Sequence, residues 1–386
     1  MDQIKSSLSK LQLYIESNNY KGFDPYDALK SPVFKLPFLK TNKLIRFGAQ
    51  QFIKRFPFNL HKLLLIPKGY NPVTLGLCLQ GYTYLSQIIP ESRVDYLKKG
   101  KYLICELKSL ISSGYSGACW GYDFDWEHRY MKIEAFKPTV VATGIITNGI
   151  FEYYKISKDK DAIDLCASAC NFILKDLIRS YQGENYCFSY SPTDNTIVFN
   201  ASMKAVRCLS QVYSVTKNSE LIEAAENAVN YVLSHQQADG SWVYGSQKST
   251  DWVDNYHTGY VLDCLDEFYK ISMDPVVMQS IKAGFEYYVK NLFEDNQIPK
   301  FYNTRMYPID CTAASQSIMT LTRFNNHELA TNVANYMIKY MQDKKQGYFY
   351  FRKFKYYRIK TSYMRWSNAW MFAALTFLVY KLGETK

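Results

Sequence analysis

Apolar and polar positions along this chain fall into two kinds of helical pattern. In the first, Ile222, Ala225, Val229, Val232 and Leu233 recur at three and four residues, with Glu220, Glu223 and Glu226 off the stripe, as in a helix buried on one side. In the second, apolar residues run nearly all round. Val140, Val141, Ala142, Ile145, Ile146, Ile150 and Phe151 show it, as do Ala369, Met371, Phe372, Ala373, Ala374, Leu375 and Phe377. Such helices are buried on every side. The all-round pattern predicts inner helices at about 72–88, 139–156, 201–215, 256–271, 311–324 and 366–382. The one-sided pattern predicts outer partners at about 42–56, 91–112, 159–180, 217–236, 275–292 and 326–343. The first forty residues, with Pro25, Pro32 and Pro37, are poorly periodic.

Each inner helix is entered through an aromatic, Gly- or Pro-bearing joint. The joints are Gly69-Tyr70-Asn71-Pro72, Lys137-Pro138-Thr139, Phe199-Asn200-Ala201-Ser202, Asp254-Asn255-Tyr256-His257-Thr258-Gly259, Ile309-Asp310-Cys311-Thr312 and Arg365-Trp366-Ser367-Asn368-Ala369-Trp370. They return every 55 to 70 residues, roughly the room for one helix pair. Small polar residues at the joints (Thr139, Asn200 or Ser202, Asn255 or Thr258, Asp310 or Thr312, Ser367) suit helix starts. The expected fold is all-α: an (α/α)6 barrel or toroid of alternating inner and outer helices, with an open α-solenoid as the alternative. Residues 1–40 form an N-terminal lead-in and 41–386 a single toroid domain. In a toroid the joints lie at one end, where a site would be built.

Composition narrows the partners. The 386 residues are 47% hydrophobic, enough for a substantial core. No leader-like or membrane-spanning run is present, and the nine cysteines sit mostly in helical apolar patterns, so reduced thiols and a cytoplasmic location are expected. The formal charge of +11 favours acidic partners. The 34 Tyr, 23 Phe and 6 Trp, many in loops, are the stronger anomaly.

The loops hold the candidate chemistry. In the second loop, Ser113 to Pro138, Asp123, Asp125 and Glu127 alternate with Tyr122, Phe124 and Trp126, and His128 follows. Crowded carboxylates beside rings can separate their pKa values, as acid/base work requires. Asp254 sits at a helix start, with His257 three residues on, placed to transfer protons at the mouth of the ring. Trp120, Tyr122, Trp126, Trp242, Tyr244, Trp252, Tyr256, Tyr363 and Trp366 are candidates for stacking on sugar rings. Arg305 and Arg365 are candidates for holding a sugar acid, beside Asp310. A basic, aromatic run at 352–360 also fits nucleic acid, but the acids of the other loops would repel phosphates, and no nucleic-acid partner is expected. Neither C-x-x-C nor H-E-x-x-H occurs, and neither metal nor cofactor is expected.

Gln236-Gln237-Ala238-Asp239-Gly240-Ser241-Trp242 resembles the Q-x-x-D-G-S-W repeat of terpenoid cyclases and protein prenyltransferases, which are α/α toroids. Asp310, Cys311 and His257 differ in spacing and order from the prenyltransferase zinc set. A wider resemblance, from about Gly117 to Trp370, is carried by Asn200-Ala201-Ser202 and four further strings. These are Cys119-Trp120-Gly121-Tyr122-Asp123-Phe124-Asp125-Trp126, Phe188-Ser189-Tyr190-Ser191-Pro192, Gly240-Ser241-Trp242-Val243-Tyr244-Gly245 and Asp254-Asn255-Tyr256-His257-Thr258-Gly259. They are similar to toroid proteins encoded with bacterial exopolysaccharide and capsule biosynthesis genes. The last joint resembles that of six-hairpin carbohydrate enzymes. The resemblance implies a glycan setting.

The reading is therefore a carbohydrate-active protein of surface-polysaccharide biosynthesis or processing. It would act on an oligosaccharide or polysaccharide, acidic ones included, in an aromatic, acid-lined cleft. Glycoside hydrolase, lyase and epimerase chemistry all stay open. So do a non-catalytic glycan-binding scaffold and a prenyl- or terpenoid-handling enzyme.

Overall fold

The computed structural model describes residues 1–127 and 132–384; His128 lies outside the described residues. Helices α1 (Asp2–Ser17), α2 (Pro37–Thr41) and α3 (Lys43–Arg55) come first. Pairs then follow: α4 (Pro72–Ile88) with α5 (Arg93–Ser109), α6 (Val140–Ser157) with α7 (Lys160–Asp176), and α8 (Phe199–Thr216) with α9 (Ser219–Leu233). Next come α10 (Asn255–Ser272) with α11 (Pro275–Asn291), α12 (Cys311–Arg323) with α13 (His327–Met341), and α14 (Trp370–Glu384). The even-numbered helices from α4 to α14 pack side by side, and α14 packs back on α4. The inner ring is closed, which makes the fold an α/α toroid rather than an open solenoid.

The outer partner of α14 is the N-terminal helix. Ile4, Leu8, Leu11 and Ile15 of α1 are buried against α14 and α13. This corrects two sequence expectations. Residues 2–17 are not a lead-in but the sixth outer helix, and the segment at 42–56 is not an outer helix. The stripe in α1 has ordinary helical spacing, whereas α3 leaves Leu44 and Phe52 exposed, so it has no ring face to bury. Instead, residues 22–69 lie across the mouth, as its cap. Gly22 pairs with Gly69, Phe23 with Tyr363, and Asp24 with Arg365.

Local chemistry explains the joints. Thr139, Asp254 and Asp310 cap α6, α10 and α12 by accepting from backbone N–H groups in the first turn. Val198 precedes α8 without a side-chain cap, and α14 is entered through a π-helical turn over Met364–Ala369. At the other end, α6, α8 and α10 stop at a left-handed residue (Lys158, Lys217, Met273), followed at once by the Asx cap of the next helix (Asp159, Asn218, Asp274). Inner helices approach closely: a Cβ on Gly149 of α6 would overlap the Gly76 carbonyl of α4.

The Q-x-x-D-G-S-W segment is structural here. Gln236 donates to the carbonyls of Gly240 and Ser280, tying α9 to α11. Trp242 is buried and donates to the Val232 carbonyl. All nine cysteines are free and eight are buried, Cys105 being exposed. No helix among the described residues is long and apolar enough to cross a membrane.

Candidate functional site

The N-terminal ends of α6, α8, α10, α12 and α14 converge on one cavity. An inner chamber of about 200 Å³ is walled by rings from separate joints, among them Tyr122, Trp126, Tyr190, Tyr244, Tyr260 and Trp370. An outer chamber of about 510 Å³ lies between the cap and the later joints. Tyr26, Trp252, Tyr256, His257 and Trp366 line both chambers. The cap completes the wall: Tyr26 meets Trp126 and Trp366 edge-on, each at 5.5 Å.

His257 stands at the junction. Its Nδ1 lies 2.6 Å from Asp254 Oδ2. A carboxylate only accepts, so Nδ1 carries the hydrogen, and in the neutral ring the lone pair is on Nε2, which has no protein partner among the described residues. Asp254 is held in turn. Its Oδ1 accepts from the His257 N–H at 3.0 Å, and its Oδ2 accepts from Trp252 Nε1 at 3.0 Å. The ring of His257 is packed between Tyr256 and Tyr244, with centroids at 3.9 and 4.5 Å. One residue therefore caps α10, fixes the tautomer of His257 and stabilises an imidazolium.

Other polar groups face the same space. Asn200 lines the inner chamber, and its buried Oδ1 has no hydrogen-bond partner among the described residues, leaving an acceptor for a ligand hydroxyl. Arg365 gives two N–H groups to Asp24, at 2.6 and 2.8 Å. Three of its five N–H donors remain. Burial holds the phenols of Tyr190, Tyr244, Tyr256 and Tyr260 above their ordinary range, so at neutral pH they are donors rather than phenolates.

The sequence-predicted residues divide clearly. Tyr122, Trp126, Tyr244, Trp252, Tyr256, His257, Arg365 and Trp366 line the chambers, with Asp254 and Arg305 at the outer one. Asp123 is bound by Lys30 (2.9 Å) and Asn71 (3.0 Å), Asp125 by Lys132 (2.6 Å) and Glu127 by Arg46 (2.7 Å). None of these three acids lines either chamber. They anchor the cap and the second loop. Asp310 caps α12 and takes Arg352 at 2.6 Å. Trp120 and Trp242 are core residues bonded to backbone carbonyls, and Tyr363 packs under the cap against Phe351 and His61. The expected acid-lined cleft is thus ring-lined and basic: Asp254 is the carboxylate among its described lining residues, against Lys54, Arg55, Arg305, Arg352 and Arg365.

Sequence reasoning missed Tyr26, Lys54, Tyr190, Asn200, Tyr260 and Trp370 as lining residues. Only Tyr26 carried a signal. Asp24-Pro25-Tyr26-Asp27 has the interleaving of rings and acids that marked the second loop. Tyr190 lies in the loop before α8, inside one of the quoted strings; Lys54, Asn200, Tyr260 and Trp370 sit on helices, where nothing local distinguishes a cavity wall from core.

No protein-family model matches the chain, and curated proteins yield no match. Solved structures are similar in fold. A sugar epimerase from a ruminal bacterium superposes with a TM-score of 0.62 at 12% identity, covering 81% of this chain and 88% of its own. Cellobiose 2-epimerase from Bacillus thermoamylovorans gives 0.61 at 12% identity, covering 81% and 88%. A glycoside hydrolase family 76 mannosidase from Bacteroides thetaiotaomicron gives 0.61 at 10% identity, covering all of both chains. At such identities the likeness establishes the α/α toroid.

One turn beyond Asn200, Lys204 is buried, with its amine 3.5 Å from the centre of the Tyr260 ring. Burial, with Arg207 beside it, pulls its pKa from 10.5 to about 7. The folded protein releases this proton near pH 7, while the unfolded chain holds it to about 10.5. Unfolding therefore takes up a proton in that window, and stability rises with pH across it. Lys204→Met is expected to flatten the rise, measured by urea denaturation at pH 7 and at about pH 9.5.

Proposed function

We propose that this chain is a carbohydrate-processing enzyme whose chemistry is proton transfer at a sugar carbon, of the epimerase or isomerase type, with His257 as the base. The Asp254–His257 pair at the junction of two ring-lined chambers carries this reading. His257 Nε2 would take the proton from the carbon beside the carbonyl of an open-chain sugar. The electron pair moves into the carbonyl, and the oxygen gains negative charge. Arg365 and the protonated tyrosines are the donors available to that oxygen. Return of a proton to the opposite face of the carbon, from one of the protonated tyrosines of the chamber, inverts it; return from His257 to the neighbouring carbon, as the hydroxyl proton passes to the former carbonyl oxygen, isomerises the sugar. Trp126, Trp252, Tyr256 and Trp366 offer stacking faces, and Asn200 an acceptor for a hydroxyl.

Two observations support this reading over glycoside hydrolysis, which uses two carboxyl groups flanking the bond. Asp123, Asp125 and Glu127 are committed to ion pairs. Asp310 is fully engaged as cap and ion-pair partner. The fold neighbours do not separate the two, since epimerases, a D-mannose isomerase at a TM-score of 0.56 and 10% identity, and family 76 glycoside hydrolases stand among them alike. A surface-polysaccharide setting rests on the loop strings, and a cytoplasmic location on the free cysteines.

The test is ¹H NMR in D₂O with cellobiose, mannose and glucose. Loss of the proton on the carbon beside the carbonyl, with a new epimer or isomer, is the expected result. Release of a free sugar without such exchange would point to a hydrolase, and binding with neither change would point to a glycan-binding protein.

A further inference from the structure

The outer chamber carries an unbalanced charge. Arg352 is neutralised by Asp310 at 2.6 Å, and Asp254 is occupied by His257 and Trp252. Among the described residues, Lys54, Arg55 and Arg305 make no ion pair with a carboxylate. Lys54 is buried, only 9% exposed. Its amine rests 3.9 Å from the centre of the Tyr26 ring and bonds the Tyr26 hydroxyl. Burial, together with Arg352 and Arg55 nearby, holds its pKa well below that of an ordinary lysine. Burying an amine beside two guanidinium groups costs stability unless an anion joins them.

We infer that the outer chamber is an anion subsite, in which Lys54, Arg55 and Arg305 hold a carboxylate or phosphate carried by the sugar whose carbon His257 serves. This rests on the proton-transfer reading and names its substrate class: an acidic sugar. His257 and Tyr256 line both chambers, so a sugar lying across the junction sets its reacting carbon at His257 and its charged group outward. Arg365 is not the acid-holding group, because Asp24 already neutralises it. Planar guanidinium groups meet carboxylate and phosphate oxygens with paired hydrogen bonds.

Titration calorimetry on the full chain tests this with D-glucuronate, D-glucose 6-phosphate, D-glucose and inorganic phosphate. At least one acid is expected to bind about tenfold more tightly than glucose, with phosphate competing. Which acid is preferred assigns a carboxylate or a phosphate. Arg55 and Arg305 are exposed, so the double change Arg55→Ala with Arg305→Ala leaves the core alone. It is expected to collapse the preference towards one, and Lys54→Met by itself to lower it severalfold. Failure of both acids to outbind glucose, or a preference that survives the double arginine change, overturns the subsite. Deuterium exchange on neutral sugars without any acid preference overturns the subsite alone. Acid preference without exchange on any sugar overturns the proton-transfer reading alone.

Discussion

Asp254→Asn is expected to lower kcat by about 10²- to 10⁴-fold, with little change in KM or Tm. Asparagine caps a helix as well as aspartate does, so the start of α10 survives. The negative charge 2.6 Å from His257 Nδ1 does not, and with it goes the stabilisation of the imidazolium that forms when Nε2 takes a proton. Asp254→Ala should lose the cap as well, at a further cost of about 1 kcal/mol in stability. His257→Ala should match Asp254→Asn in rate, and the double change should cost no more than the larger single one, since the two act as a unit. Initial-rate kinetics, the deuterium-exchange assay and thermal melts on the same preparations separate these effects. Full turnover in Asp254→Asn would remove the pair from the chemistry.

Loss of Asp24 is the largest stability effect expected. Asp24→Leu leaves the Arg365 guanidinium buried without its partner, at a cost of about 3–5 kcal/mol. The bidentate pair is 6% exposed on each side, and Arg365 also packs on the Tyr122 ring at 4.6 Å, so water cannot readily replace the lost carboxylate. The pair joins the cap to the entrance of α14, so Asp24→Leu should also release residues 22–69 from the mouth. Hydrogen exchange would read this as lost protection there, with α4 to α13 little changed. The combined change Asp24→Leu with Arg365→Met removes both charges and is expected to recover most of the stability. If Asp24→Leu alone melted like the parent chain, the cap would be held by other contacts.

The helices were legible because their signal is local. Spacing of three and four residues is set by the turn of the helix itself, and a helix apolar all round can only be buried. That is why the inner ring, its joints and five of the six outer helices follow from residues close in sequence. The stripe of Ile4, Leu8, Leu11 and Ile15 was equally readable, but the prolines beyond it masked its role. Its partner α14 lies at the far end of the chain, and ring closure is not a local property.

The site was legible only in part. The aromatic joints do converge, and the residues found at helix starts, Asp254 and His257, meet there because the cap geometry of α10 is itself local. The acids of the second loop show the opposite case. Asp123, Asp125 and Glu127 have the composition of acid/base groups, but Lys30 and Arg46 arrive from the cap to neutralise Asp123 and Glu127, Lys132 of the same loop pairs with Asp125, and Asp24 neutralises Arg365 across 341 positions. The sequence alone determined the toroid and the ends of the helices that build the cavity, since helix periodicity and capping act over a few residues. Tertiary structure decided which charges are spent on each other and which still face the cavity, because Coulomb pairing depends on distance in space and not on separation along the chain.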